Sequence, residues 1–493
     1  MTNSTESRPI QFRYRSDEVE VNEENTYQDD KLGREPFVKA IVTLVEVIQE
    51  PFVIALNSPW GSGKTTTLRL LLPELKTASV TAVSFNAWEV DYATDPLVPL
   101  VATLHDKLWE IRGYDRNAVD GAKIDRLKGL AGAVVKHGVV AAVKIATAGI
   151  LDIEATAQGI SKAVDSAAEK AAEGFTGDLI DAFKEERKAA NEFRRVLQEL
   201  IEHVRGENTN GEALPPLILI IDELDRCRPT FSVAMLERIK HFFNVPGLVF
   251  ILGLDLEQLK ASVRKVYGAE LDSTEYLRRF VDLELRLPNA PIEEMVQSML
   301  TKCGADAFFE SRMGYRALSG DRIWITRTLQ DLALNFDLSP RLVQRIITRL
   351  MLVIRQTKTN QYLDPILVVF LIFLQTRDEL ILRGFVEGRL SPAAVMESIR
   401  KINPKGEKFY QSDIGILIEA HLLRALRYRS EFLTEFTTRF EALDKQATDP
   451  VSSRLKSLAS RYERTSDGFS RDSIDLREVD RRINLVATDL VRD

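Results

Sequence analysis

Apolar residues follow two alternating patterns along the first half of the chain. Phe37, Ile41, Leu44, Val45 and Ile48 recur at three- and four-residue spacing, which predicts a helix ended by Pro51. The next run, Phe52-Val53-Ile54-Ala55-Leu56, is short, continuous and rich in β-branched residues, as expected of a parallel strand buried on both faces. Val80-Thr81-Ala82-Val83-Ser84-Phe85, Leu217-Ile218-Leu219-Ile220-Ile221 and Leu248-Val249-Phe250-Ile251-Leu252 repeat the signature, with helical patterns between them. Strands alternating with helices predict an α/β fold built on a parallel sheet.

The gap between the second and third strands is an insertion over residues 105–212. Its middle, 130–175, is rich in alanine, and small residues let helices approach closely. Lys128, Lys136, His137 and Lys144 interrupt it, and no uncharged run approaches the ~20 residues of a spanning helix. Helices packing within the protein or against another subunit are expected there, with membrane-surface association as the alternative. Residues 183–205 then predict an amphipathic helix with Phe193, Val196, Leu197, Leu200, Ile201 and Val204 on one face. After Leu287-Pro288 the pattern turns helical to about residue 462, and the run Ile366–Leu374, too short to cross a bilayer, reads as a buried core helix.

This pattern divides the chain into an acidic, disordered tail (1–28), a first core segment (29–104), the insertion (105–212), a second core segment (213–288), a C-terminal helical domain (289–462) and a loosely held tail (463–493). No internal repeat is visible.

Composition adds exclusions. With 493 residues, 45% hydrophobic and 28% charged, the chain fits neither wholesale disorder nor a polytopic membrane protein. Two cysteines, Cys227 and Cys303, cannot build a disulfide framework or a four-cysteine zinc site. The opening residues lack the apolar stretch of a secretory signal, so a cytoplasmic location is expected. Net charge is −7, of which residues 1–31 carry −4 (four bases, eight acids), while 341–460 carry +6 (nineteen bases, thirteen acids). The whole is not basic as a global nucleic-acid binder would be.

Directly after the first strand stands Ser58-Pro59-Trp60-Gly61-Ser62-Gly63-Lys64-Thr65-Thr66, running into a helix. Strand, small-residue loop and helix N-terminus form the P-loop arrangement, in which backbone N–H groups converge on phosphates. Lys64 supplies a cation for the β- and γ-phosphates, and the Thr65 hydroxyl a ligand for Mg²⁺. Ser58 stands where the full pattern has glycine, which is tolerable if its φ stays negative. The third strand ends in Asp222-Glu223-Leu224-Asp225-Arg226, apolar residues followed by two acids as in a Walker B segment. Asp222 is the candidate Mg²⁺ holder and Glu223 the residue that orients the attacking water. Ligands bind at this edge of open parallel sheets.

Together these motifs resemble the KAP P-loop NTPases. Further matches are Asp30-Lys31-Leu32-Gly33-Arg34, Phe85-Asn86-Ala87-Trp88-Glu89, Phe250-Ile251-Leu252-Gly253-Leu254-Asp255, Tyr276-Leu277-Arg278-Arg279-Phe280, and Ser339-Pro340-Arg341 with Arg345. The resemblance spans about 29–350. It implies an ATPase core of the catalytic-glutamate (ASCE) class, with an extra strand between the two Walker strands and adenine as the base. An insertion between the motifs is also usual in the family, often with membrane-spanning helices, which the lysines argue against here. By the same resemblance Asp255 is a sensor near the γ-phosphate and Arg341 a second sensor. Their plain alternatives are a helix cap for Asp255 and a surface ion pair for Arg341.

Arg226, Arg278 and Arg279 are candidate arginine fingers, with local ion pairs as the ordinary alternative. Trp88 reads as a packing residue, and Asn86 suits either contact with the attacking water or fixing of the neighbouring loop. The five histidines are scattered, so no transition-metal site is visible. Cys227 reads as packed. Arg424, Arg427, Tyr428 and Arg429 combine cations with an aromatic, which suits nucleic acid or a solvated helix face. The expected function is Mg²⁺-dependent ATP hydrolysis driving conformational change in an assembly, with a homo-oligomer and a protein partner or effector. A nucleotide-switched scaffold with little turnover is the alternative, and a nucleic-acid-stimulated motor a third. Some bacterial KAP proteins act in multi-gene antiphage systems, which suggests such a setting.

Overall fold

A computed structural model describes residues 26–28, 30, 32–112, 123, 125–135, 165–205, 214–402, 404–426, 430–443, 446, 448–467 and 476–484. These fall into two units, one running from Arg34 to Pro288 and taking in residues 26–28 and 30, the other holding residues 32 and 33 and everything from Asn289 onward.

In the first unit, α1 (Glu35–Glu46) leads to β1 (Phe52–Asn57), α2 (Lys64–Thr77), β2 (Ala82–Asn86) and α3 (Leu97–Arg112). A helix over residues 125–135 (α4) and the long α5 (Asp165–Arg205) follow. Next come β3 (Leu217–Asp222), α6 (Pro229–Phe242), β4 (Leu248–Leu254), α7 (Leu256–Tyr267), α8 (Ser273–Leu277) and β5 (Leu283–Arg286). The five strands are parallel, in the order β2-β3-β4-β1-β5. β4 therefore lies between the P-loop strand β1 and the Walker B strand β3, the extra strand that the resemblance implies.

The strands are apolar without interruption because both faces are covered. Ile54, Leu56, Ile218, Ile220, Val249 and Ile251 turn to one face, where they pack with Val38, Ile41 and Val45 of α1 and Leu68, Leu71 and Leu75 of α2. Their neighbours Val53, Ala55, Leu219, Ile221, Phe250 and Leu252 turn to the other face, under α3, α5, α6 and α7. Phe193 of α5 meets Phe243 edge-on at 5.5 Å, and Phe243 meets Phe250 of β4 at 5.7 Å, so the end of the insertion roofs the sheet. All six apolar residues expected on the 183–205 face are buried there. Leu127, Ala131 and Val134 of α4 join the same core. Most of the alanine-rich middle, residues 136–164, and the expected acidic tail up to residue 25 lie outside the described residues.

Two details differ from the sequence pattern. α1 ends at Glu46, before Pro51. β5 was not foreseen: Leu283 and Leu285 are half-buried and alternate with exposed Glu284 and Arg286, the period of an edge strand.

The second unit is helical: α9 (Ile292–Lys302), α10 (Ala305–Arg312), α11 (Asp321–Asn335), α12 (Pro340–Arg355), α13 (Pro365–Arg377), α14 (Glu379–Val386), α15 (Pro392–Arg400), α16 (Gly406–Gln411), α17 (Asp413–Ala425), α18 (Ser430–Glu441), α19 (Pro450–Asp467) and α20 (Leu476–Asn484). α13 carries the run Ile366–Leu374 and is buried along all of it, as expected of a core helix. Among the described residues no helix is long and apolar enough to cross a membrane. The stretch expected to be a loose tail contains α20, whose Leu476, Val479 and Ile483 are buried in this unit's core. Three apolar residues at spacings of three and four suffice for an amphipathic helix, and the surrounding charge hides them in the sequence. Charged side chains are buried here too. Arg312, wholly enclosed, pairs with Asp321 at 2.7 Å and donates to the carbonyls of Lys358, Thr359 and Gln361.

Candidate functional site

The carboxyl ends of β1, β2, β3 and β4 come level in the register that pairs Asn57 with Leu254, Asp222 with Gly253 and Asn86 with Asp222. Side chains that follow these strands in sequence are thereby brought to one edge of the sheet. The Ser58 N–H continues the ladder to the Leu254 carbonyl (3.2 Å), and Ser58 is not among the positive-φ residues, so serine meets the loop's opening without strain.

The loop then turns through Gly61 (φ 79°) and Gly63 (φ 96°), a conformation that disfavours any side chain. Gly63 is the N-cap of α2 and gives it no side-chain cap. The first-turn N–H groups of α2 therefore face the site as unsatisfied donors at the positive end of the helix dipole, which suits phosphate oxygens. Ser62 is half-buried and Thr66 lies half-buried in the first turn. Lys64 is buried, and its Nζ donates to the carbonyls of Ser58 and Pro59. Burial lowers the Lys64 pKa from the ordinary lysine value, opposed by the nearby carboxylates of Asp225, Asp255 and Asp222.

The Thr65 hydroxyl lies close to the Asp222 carboxylate. Burial raises the Asp222 pKa, while the Thr65 hydroxyl and the Glu223 N–H (2.9 Å) favour its charged form. A hydroxyl and a carboxylate side by side are a hard-oxygen pair that fits Mg²⁺, which takes few protein ligands and completes its shell with phosphate and water. Among the described residues no group of three or more His, Cys, Asp or Glu could hold a metal.

Glu223 stands in the left-handed region at φ 61°, uncommon for a residue with a side chain. Its carboxylate pairs with Arg226 Nη1 at 2.6 Å and accepts from Asn86 Nδ2 at 3.3 Å. Asn86 Oδ1 accepts from the Trp88 N–H at 3.0 Å, so Asn86 links the Glu223 carboxylate to the loop after β2. Trp88, expected to pack, is 53% exposed, with the Arg226 guanidinium 5.6 Å from its ring centroid.

Two residues escaped the sequence reading. Asp225 is buried and accepts from the Trp60 indole N–H (2.6 Å) and from the Asp255 backbone N–H (2.9 Å), so it links the P-loop, the Walker B turn and the end of β4. Gly253 leaves room for Asp222: a Cβ there would lie 2.9 Å from Asp222 Oδ1 and 2.5 Å from Leu68 Cδ1. The signal for both lay inside quoted motifs, but only the strand register assigns their partners.

The remaining candidates are placed as follows. Asp255 is buried and caps α7, accepting from the Glu257 N–H at 3.1 Å, with its charge close enough to act on Lys64. Arg341 is exposed in the first turn of α12, in the helical unit, as is Arg345 one turn on. Arg278 is exposed and paired with Glu275 at 2.9 Å, and Arg279 is exposed. Cys227 is buried, and burial pushes its thiol up to about 12, so it is packed rather than reactive. Arg424, read as part of a cationic surface, is instead buried over the Tyr362 ring, 5.4 Å from its centroid. Arg427, Tyr428 and Arg429 lie outside the described residues.

Comparison with known proteins agrees with the motifs. The family model described as the KAP family P-loop domain matches residues 34–357. No curated protein matches the chain. Two solved structures of the ORC2 protein of Aeropyrum pernix are similar at a low level. Its ADPNP–ADP complexes share 13% identity, cover 88% of this chain and 95% of that one, and give a TM-score of 0.32. Its ADP form shares 12% identity, covers 97% and 98%, and gives 0.28. Likeness of this size carries no weight for fold or function.

Proposed function

The chain belongs to the KAP family of P-loop NTPases, and we propose that it binds ATP with Mg²⁺ and hydrolyses it to drive a conformational change within an assembly. The observation that carries this reading is the buried Lys64 at the uncapped N-terminus of α2, with the Thr65 hydroxyl close to the Asp222 carboxylate.

In this reading Gly61, Ser62, Gly63 and the first turn of α2 hold the phosphates through backbone N–H groups, with Ser58, Trp60 and Thr66 shaping the loop's two ends. Lys64 leaves the carbonyls of Ser58 and Pro59 for the β- and γ-phosphates. Thr65 and Asp222 would hold Mg²⁺, which supplies charge neutralisation across the phosphate oxygens. Glu223 leaves Arg226 and orients a water for in-line attack, holding the proton that the water gives up. Asp255 senses the γ-phosphate end of the site, and Arg341 reports nucleotide state to the helical unit. Assembly as a homo-oligomer would let an arginine from a neighbouring copy complete the site, while a separate protein effector, as in multi-gene antiphage systems, and the preference for adenine follow from the family resemblance.

One observation favours a second reading, a nucleotide-switched scaffold with little turnover: the Glu223 carboxylate is engaged by Arg226 and Asn86. Equilibrium titration with a fluorescent ATP analogue, with and without Mg²⁺, tests what the two readings share. Micromolar binding that Lys64→Ala weakens at least ~tenfold is expected from loss of a charge-assisted phosphate contact. Equal binding by wild type and variant would remove the P-loop from the function.

A further inference from the structure

The Arg34 guanidinium lies buried behind the P-loop, 1% exposed. Its Nη2 donates to the Ser62 carbonyl at 2.9 Å and its Nη1 to the Pro288 carbonyl. Arg34 opens the long segment of the α/β unit and Pro288 closes it. One side chain thus ties the first and last residues of that segment to the centre of the phosphate loop.

Its own position is fixed from two sides. The Asp30 carboxylate accepts from the N–H groups of Arg34 and Glu35, capping the start of α1. α1 in turn packs Val38, Ile41, Val42 and Val45 into the core that holds Leu68, Leu71 and Leu75 of α2. The Leu287 N–H donates to the Asn57 carbonyl at 3.2 Å, so the approach to Pro288 is anchored on β1. Among the described residues, Arg34 Nε and Asp30 Oδ1 are buried without a hydrogen-bond partner, while the Asp30 charge still acts on the guanidinium. Burial lowers its pKa to about 10, which leaves it charged at neutral pH.

A trans peptide fixes its N–H opposite its carbonyl. Holding the Ser62 carbonyl back toward Arg34 therefore turns the Gly63 N–H the other way. Leu283–Arg286 and the Pro288 carbonyl then share a fixed frame with the loop.

We infer that Arg34 is a positioning residue for the nucleotide site: it sets the Gly63 amide for a phosphate oxygen and conveys the position of the loop to Pro288, where the chain leaves the α/β unit. This rests on the proposed nucleotide binding. Arg34 touches neither phosphate nor water in this role and acts through Ser62. Lysine, a point cation without the planar fork, cannot satisfy both carbonyls in the same geometry.

The test uses the full chain with ADP, ATP and Mg²⁺, comparing wild type, Arg34→Lys, Arg34→Ala and Lys64→Ala. Arg34→Ala is expected to raise KM for ATP and Kd for ADP at least ~tenfold, with kcat at saturation within about threefold of wild type, the split expected when uniform binding is lost. Millimolar guanidinium should restore most of the affinity of Arg34→Ala and none of that of Lys64→Ala. Hydrogen exchange of peptides spanning 283–292 should slow when saturating ADP is added to wild type, and this change should vanish in Arg34→Lys.

Wild-type affinity in both Arg34 variants, or unchanged exchange at 283–292 in saturated wild type, would overturn the inference. The exchange arm needs no variant, so it decides the matter even if Arg34→Ala does not fold. Failure of wild type to bind nucleotide at all would instead refute the nucleotide reading beneath it.

Discussion

The Trp60 indole Nε1 donates to Asp225 Oδ2 at 2.6 Å, across 165 residues of sequence. The same oxygen accepts the Asp255 N–H, so a single carboxylate oxygen holds the P-loop against the ends of β3 and β4. Trp60→Phe should keep the fold, cost about 1 kcal/mol as one lost hydrogen bond, and weaken nucleotide affinity ~three- to tenfold. Asp225→Ala strands two donors and should cost about 1–3 kcal/mol for each that stays buried. Chemical denaturation and nucleotide titration on the same samples check both.

Gly253 faces Asp222 across the β3–β4 register. A methyl group there would contact Leu68 Cδ1 and Asp222 Oδ1 at distances that real side chains do not adopt. Gly253→Ala should lose about 1–3 kcal/mol of stability through overpacking. It should also raise the Mg²⁺ concentration needed for half-maximal ATP binding more than it weakens Mg²⁺-free binding. An equal effect on both would place the damage in packing alone.

Arg226 and Asn86 hold Glu223. In the proposed mechanism Glu223 leaves that ion pair for turnover, so Arg226→Ala should raise basal hydrolysis a few-fold without changing ATP affinity. A fall in rate would instead make Arg226 a contributor to the transition state. Stopped-time phosphate release at saturating ATP separates the two.

Lys64 has a pKa below the ordinary lysine value, lowered by burial. Phosphate favours the charged amine, so bound nucleotide raises that pKa again. Between the free and bound values, binding takes up a proton, and affinity falls as pH rises through the free-protein value. The decline should therefore begin at a lower pH than for an exposed lysine and be lost in Lys64→Ala. Calorimetry above pH 8 in buffers of different ionisation enthalpy should register the proton uptake.

Much of this was legible in the sequence. Continuous apolar runs marked β1 to β4 because a sheet covered on both faces leaves no polar alternation. The P-loop and Walker B residues were readable because their chemistry sits in consecutive positions. β5 and α20 were not, since each shows only two or three apolar residues among charges. Asp225 and Gly253 were visible as letters, but their partners depend on strand register. Arg34 was visible as part of a motif, yet its contact with Pro288 joins residues 254 apart, which no local pattern encodes. Arg424 misled because a helix-face cation has the same spacing whether it faces water or a buried carboxylate and ring.

The central claim is that Glu223 works on water at a site that Lys64 and Thr65 hold together. The most direct test measures ATP hydrolysis against protein concentration for wild type and Glu223→Gln, with nucleotide binding and particle size followed in the same samples. A wild-type specific rate that rises with concentration, and a variant that binds ATP equally but hydrolyses it at least ~tenfold slower, is the predicted result. Equal rates in the two proteins would contradict it.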